Sequence, residues 1–456
     1  MSDPTLWPAH EQARAIAARQ LGSEELLDLF VERIDRVDPA VNAVCTRAVD
    51  EARARCRAAD RATAAGESWG PLHGLPFTVK DAIATAGVRS TGGAEALRDH
   101  VPATDAPAVA ALKAAGAIVF GKTNLPEWSG DWQSWNTMFG TTNNPWDLTR
   151  TPGGSSGGAA AAVACGMTAF ELGTDIGGSV RVPSAFCGVF GLKPTWGVIP
   201  TYGYLDQPGG GITESDVNVF GPIARSAADL AMLLEVLADS RRGLLQADRG
   251  EGVGSLRIAA WIDDPALAVG SGVAEVLHRA VASIESNGVA VDRAARPAID
   301  PAASARNGTV LIGAAVSISS LDDWGFTHRQ WLERDRQRAR DRLAWAEFFG
   351  EFDVVLCPVM PVTAFEHLQE GHWTTRRIAI DGVDHPYLDL ELWPALIGAA
   401  YLPAVSTPVG FTAGGLPVGV QVVAAHGHDH TAIRVAGWLA EQCGGYVPPP
   451  IVTGAT

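Results

Sequence analysis

Apolar residues near the start of the chain recur at helical spacing: Leu26, Leu27, Phe30, Val31, Ile34 and Val37 form one stripe. A period near 3.6 residues puts them on one face of an amphipathic helix. Ser23 reads as its N-cap, Glu24 and Glu25 suit the positive end of the helix dipole, and Pro39 is expected to end it. Farther along, the pattern changes to short β-branched runs at Gly116 to Phe120, Val354 to Cys357 and Val418 to Val423, which alternate with alanine-rich helical segments such as Ala159 to Cys165. Alternating strands and helices predict a layered α/β fold. No internal repeat, Pro/Gly/Ser-rich linker or composition break interrupts the 456 residues. One domain over 1–456 is therefore expected, although the length alone would allow about three.

Hydrophobic residues make up 47% of the chain, enough for a large core. No apolar stretch reaches the ~20 residues that a spanning helix requires, and Met1 to Leu21 lacks the basic start and apolar centre of a signal peptide. No membrane partner is expected. The net charge of −16 disfavours nucleic acid and anionic lipid. Six cysteines, Cys45, Cys56, Cys165, Cys187, Cys357 and Cys443, show no metal-ligand spacing and read as reduced thiols of a cytoplasmic protein. His426, His428 and His430 alternate within a Gly-Asp turn, which suits a solvated loop better than a metal site. Neither a metal nor another cofactor is expected.

The chemistry concentrates in two glycine nests that each hold a serine: Gly153-Gly154-Ser155-Ser156-Gly157-Gly158 and Asp175-Ile176-Gly177-Gly178-Ser179. Glycines permit positive φ and let successive N–H groups converge, which makes a concavity for negative charge beside a hydroxyl. An oxyanion hole needs that layout. A serine also needs a base. None of the 11 histidines falls between His100 and His278, and none has a G-x-S-x-G neighbour or a partner acid at a telling spacing. Lys80 fits better, because the apolar run from Gly74 delivers its ammonium at the end of a strand, where desolvation lowers a lysine pKa. Asp175 suits a structural role at its turn, and Arg181 the anchoring of the serine loop. Gly116 to Thr123 matches the G-x-x-x-x-G-K-[ST] pattern of nucleotide-binding modules, the alternative from another class. Its four variable residues read as strand, however, and Pro126 follows closely.

Lys80, the Gly-Gly-Ser-Ser-Gly-Gly nest and Gly173-Thr174-Asp175-Ile176-Gly177-Gly178-Ser179 together resemble the amidase signature family. The likeness extends through Gly121 to Glu127, Phe139 to Trp146 and Gly415 to Gln421. It runs from about Leu21 to Ala440 and is weakest at 238–351, a part expected to be variable and largely helical. The resemblance implies a large mixed β-sheet covered by helices on both faces. It also implies a Ser–Ser–Lys triad, with Ser179 as nucleophile, Ser155 as bridging serine after a cis Gly154–Ser155 peptide, and Lys80 as base. The family's spacing selects Ser155 over Ser156. The N–H groups of Ile176, Gly177, Gly178 and Ser179 would hold the oxyanion.

The implied activity is cleavage of a C–N bond in a small amide or carbamate, with no partner protein required and a monomer or homodimer expected. The family also includes the glutamine-hydrolysing component of a tRNA-dependent amidotransferase. Tyr401-Leu402 departs from the Asn-Leu-containing sequences of that component, so a free-standing hydrolase or urethanase is the preferred expectation. Trp128, Trp132, Trp135 and Met138 lie in a segment that the family places near the acyl pocket, which suggests an apolar or aryl substrate. Tyr202, Tyr204 and Gly209-Gly210-Gly211 read as a hinged aromatic lid. Trp324, Trp331 and Trp393 are further candidates for the border of the site.

Overall fold

In the computed structural model, which describes residues 3–247, 250, 252–317 and 327–454, the first apolar stripe forms helix α1 (Ser23–Val41). Leu26, Leu27, Phe30, Ile34 and Val37 face the core, and Phe30 stacks on Phe120 with ring centroids 6.0 Å apart. Both ends differ from the sequence expectation. Gly22 takes the N-cap position, the Ser23 hydroxyl donates to Gly74 O at 2.6 Å, and the first N–H groups donate to Asp60, on the following helix. A partner 37 residues away leaves no local signal. Pro39 removes one donor but does not stop the helix, because Val37 and Val41 bury the last turn before Asn42 ends it in the left-handed region.

Among the described residues, eleven strands form one sheet. They are β1 (Val44–Arg47), β2 (Pro76–Lys80), β3 (Ile118–Thr123), β4 (Glu171–Asp175), β5 (Phe190–Lys193), β6 (Val219–Ala224), β7 (Ile258–Ala260), β8 (Val291–Asp292), β9 (Val354–Pro358), β10 (Ala404–Phe411) and β11 (Pro417–Ala424). Their spatial order is β1-β3-β2-β4-β6-β5-β10-β11-β9-β7-β8. Pairing is parallel around β2 and around β7 and antiparallel elsewhere, so the sheet is mixed.

Successive residues of a strand face opposite sides, and here both sides are covered. Val354 and Leu356 join the main core with Val420 and Val422, whereas Val355 and Cys357 join a second cluster with Trp261, Trp345 and Trp393. The stretch 238–351 is not purely helical. Besides Ser271–Ser286, α4 (Pro301–Ala315) and α5 (His328–Glu351), it supplies β7 and β8, which are too short to show a period of their own.

Two features of this topology position the chemistry. β2 lies between parallel neighbours β3 and β4, and functional loops in such sheets gather beyond the carboxyl ends of the strands. Lys80 ends β2. Asp175 ends β4 and opens the second nest, while α2 (Gly157–Ala164) and α3 (Arg181–Cys187) leave the two nests. The nucleotide-loop reading fails on the same geometry. Gly121, Lys122 and Thr123 lie in β3, and Lys122 is wholly buried with Nζ donating to Ile83 O at 2.5 Å and Thr85 Oγ1 at 2.9 Å, so it cannot meet a phosphate.

Candidate active site

Lys80 projects from β2 into a polar chamber closed to solvent. Its Nζ stands 2.6 Å from Ser155 Oγ and 2.7 Å from Thr174 Oγ1. Burial holds the lysine well below its ordinary pKa, against the opposing pull of Asp175 and Glu171. The neutral amine favoured there can accept a proton from Ser155. Lys80 and Ser155 are fully buried, whereas Ser179 keeps 5% of its surface exposed. The Gly154–Ser155 peptide is cis. Ser156 turns the other way, its Oγ donating to Thr174 O at 3.2 Å and its N–H donating to Ser179 O at 3.1 Å.

The second nest is organised by Asp175. One carboxylate oxygen accepts from Gly178 N at 2.9 Å, and the other accepts from Val180 N at 3.1 Å and Arg181 N at 3.3 Å. Arg181 completes a two-pronged pair through Nε and Nη2 at 2.9 and 2.8 Å, and both residues are fully buried. Burial alone would raise the aspartate, but the Arg181 guanidinium, Lys193 and the Val180 N–H together outweigh it and hold the carboxyl at about 2. Arg181 also donates from Nη1 to Pro394 O and Gln421 Oε1, so it anchors the loop as expected.

A cleft of about 500 Å³ opens beside this nest. Trp128, Trp135, Ile176, Tyr204 and Trp373 give it an apolar lining, with Asp131 and Arg376 along one wall. Arg376 Nη1 pairs with Asp131 Oδ2 at 2.6 Å, and Tyr387 OH donates to the other oxygen at 2.8 Å. This network ties the 126–137 segment to the 371–376 segment across nearly 250 residues of chain.

Of the residues expected to meet substrate, Trp128 and Tyr204 line the cleft, as does Trp135 from the same segment, and the others do not. Trp132 is buried behind the nest, where its Nε1 donates to Gly177 O at 3.0 Å. Met138 is half-buried in the turn after Asn136. Tyr202 is 43% exposed and lies outside the cleft lining. The loop bearing it is clasped on itself by Gly203 N donating to Gly211 O at 2.8 Å. Trp393 is core, its Nε1 donating to Ala268 O at 3.2 Å, Trp331 stacks on His328, and Trp324 lies outside the described residues. His430 pairs with Glu235 at 3.1 Å. Trp373, Asp131, Arg376 and Thr174 escape sequence reasoning as site residues. Thr174 alone carries a signal, its place one residue before Asp175 on the strand leading into the nest.

The fold belongs with a known family. The chain matches the amidase family over residues 25–323 and 319–433 and is a member of the amidase signature enzymes, hydrolases that act on C–N bonds. It is 32% identical to an acylamidase of Rhodococcus erythropolis, with 94% of each chain covered. It is also 32% identical to a Glutamyl-tRNA(Gln) amidotransferase component from Moorella thermoacetica, covering 94% of this chain and 95% of that one. Among solved structures, 6-aminohexanoate cyclic dimer hydrolase complexed with substrate superimposes with a TM-score of 0.82 at 26% identity, covering 98% of this chain and 99% of that one. Among the described residues, no helix is long and apolar enough to cross a membrane, and all six cysteines are free thiols.

Proposed function

We propose that the chain is a free-standing hydrolase that cleaves the C–N bond of a small apolar or aryl amide or carbamate through an acyl-enzyme on Ser179. The observation that carries this reading is the buried 2.6 Å contact between Lys80 Nζ and Ser155 Oγ beside an aromatic cleft. Neutral Lys80 takes the proton of Ser155 as Ser155 takes that of Ser179, and Ser179 Oγ forms the bond to the carbonyl carbon. The N–H groups of Ile176, Gly177 and Ser179 stabilise the oxyanion, while that of Gly178 is already directed to Asp175. The relay then runs backwards, so that the leaving nitrogen departs protonated as its C–N bond breaks. Water repeats the sequence and frees Ser179.

The cleft favours an aryl or apolar group because Trp128, Trp135, Trp373 and Tyr204 offer flat apolar faces. The second reading, glutamine hydrolysis within an amidotransferase, draws on the 32% identity to the Moorella thermoacetica protein. Against it stands Tyr401, stacked on Trp196 at 4.6 Å with its hydroxyl donating to Asp216 at 2.5 Å, where the amidotransferase proteins resemble an Asn-Leu sequence. Hydrolysis of a panel of chromogenic anilides, aliphatic amides, aryl carbamates and glutamine, with no partner protein added, separates the two. Turnover of anilides or carbamates by the chain alone supports the proposal, and turnover of glutamine alone overturns it.

A further inference from the structure

The back of the second nest rests on the segment that contains helix α6 (Leu392–Gly398). Pro394 packs on Gly178, and the carboxyl of Glu391 lies against Gly177, where any Cβ would collide with Glu391 Oε1. Only 5% of Glu391 is exposed. A carboxylate so placed would share a low-dielectric space with the oxyanion that the nest holds, and like charges at that range oppose each other strongly. Burial pushes the Glu391 carboxyl up to about 8, the Thr309 hydroxyl and Arg181 draw it down, and Asp175 pushes it up again. The charged groups that face it are thus Arg181 on α3 and Asp175 at the end of β4, already paired with each other, while α4 contributes only the Thr309 hydroxyl.

Resting on the hydrolase reading above, we propose that Glu391 is a positioning residue that supports the nest as a neutral carboxylic acid, and that its ionisation shuts hydrolysis down on the alkaline side. Ionisation releases one proton to solvent and leaves a negative charge behind Gly177. No bond to substrate is made or broken.

The rate at which a fluorophosphonate labels Ser179 reports on the nest without knowledge of the substrate. In the wild type that rate should fall about ten-fold per pH unit once the pH passes about 8. Glu391→Gln, of the same shape but unable to ionise, should keep labelling through that range. Thr309→Val, which removes a hydroxyl favouring the charged form, should move the fall to higher pH, and it decides the matter if Glu391→Gln does not fold. A wild type with no alkaline fall overturns the proposal, as does an unchanged fall in folded Glu391→Gln or in Thr309→Val. A wild type that labels at no pH overturns the hydrolase reading as well, which separates the two failures.

Discussion

Trp132 Nε1 donates to Gly177 O at 3.0 Å, and the N–H at the other end of that same peptide unit, on Gly178, donates to Asp175 at 2.9 Å. The peptide between the two glycines is therefore clamped at both ends, and a flexible Gly-Gly pair is held to one orientation. Trp132→Phe keeps an aromatic ring and loses the donor. It should lower kcat about ten-fold, equivalent to ~1.4 kcal/mol, with KM little changed, since a misdirected nest weakens the transition state more than ground-state binding. Steady-state kinetics on any hydrolysed anilide checks this, and an unchanged kcat would show that the clamp is dispensable.

Ser179→Ala should abolish hydrolysis while leaving the melting temperature close to that of the wild type, because the substitution removes a single oxygen from a small side chain. Intact-mass measurement and peptide mapping after treatment with a sulfonyl fluoride should find the adduct on Ser179. An adduct on Ser156 would reverse the assignment.

Lys80 makes activity pH-dependent with a definite sign. In the proposed relay the base is the uncharged amine, and the folded pKa lies well below 10.5, so kcat/KM should rise with pH through that lowered value, on the acid side of the fall expected from Glu391 above about 8. Stability follows the same direction. The unfolded chain binds a proton at Lys80 that the fold does not, so this residue's penalty on folding shrinks as pH climbs toward 10.5. Lys80→Ala should lose most amide hydrolysis and retain more on activated esters, whose leaving groups need less protonation. A flat rate profile from mildly acidic to alkaline pH would remove lysine from the role.

Asp175 works in the opposite pH range. Its folded pKa of about 2 lies below the ordinary value of 3.8, so the stability it contributes is fully present above the unfolded value and is lost as pH falls through the folded one. Asp175→Asn would leave the buried Arg181 without its counter-charge and should cost roughly 3 kcal/mol or more. Urea denaturation at neutral pH measures the loss, and a cost below ~1 kcal/mol would mean that the remaining acceptors, Gln421 Oε1 and Pro394 O, suffice for Arg181.

Substrate range should respond to the 371–376 wall and not to the 209–211 turn. Trp373→Ala should raise KM for aryl substrates several-fold while sparing small aliphatic amides, because only the former cover the indole. Gly210→Pro should leave both unchanged, since that turn lies off the cleft. Selective loss of aryl turnover in Gly210→Pro would restore the lid.

The residues of the proposed centre stand out in the sequence and their surroundings do not, for physical reasons. Lys80 at a strand end, the two nests and the serine spacing are local patterns, and strands such as Val354–Pro358 show their own composition. Trp132 reads as a pocket wall because its position near the nest is visible in the chain but its direction is not. Asp131, Arg376 and Tyr387 are distant in the chain and meet only through the fold, and Glu391 acts by packing on a glycine, which leaves no motif. The helix start at Gly22 escapes local reading because Asp60, the capping group, comes from another helix.

The wall of the cleft formed by residues 371–376 leads directly into a two-stranded hairpin, Arg377–Ile380 with Val383–Pro386, that belongs to a sheet separate from the one carrying Lys80 and Asp175. One wall of the cleft thus belongs to a different architectural unit from Lys80 and Asp175. A transplant that replaces this hairpin and its leading segment, with Asp131 co-varied to suit residue 376, offers a route to new substrates that leaves the reacting groups untouched.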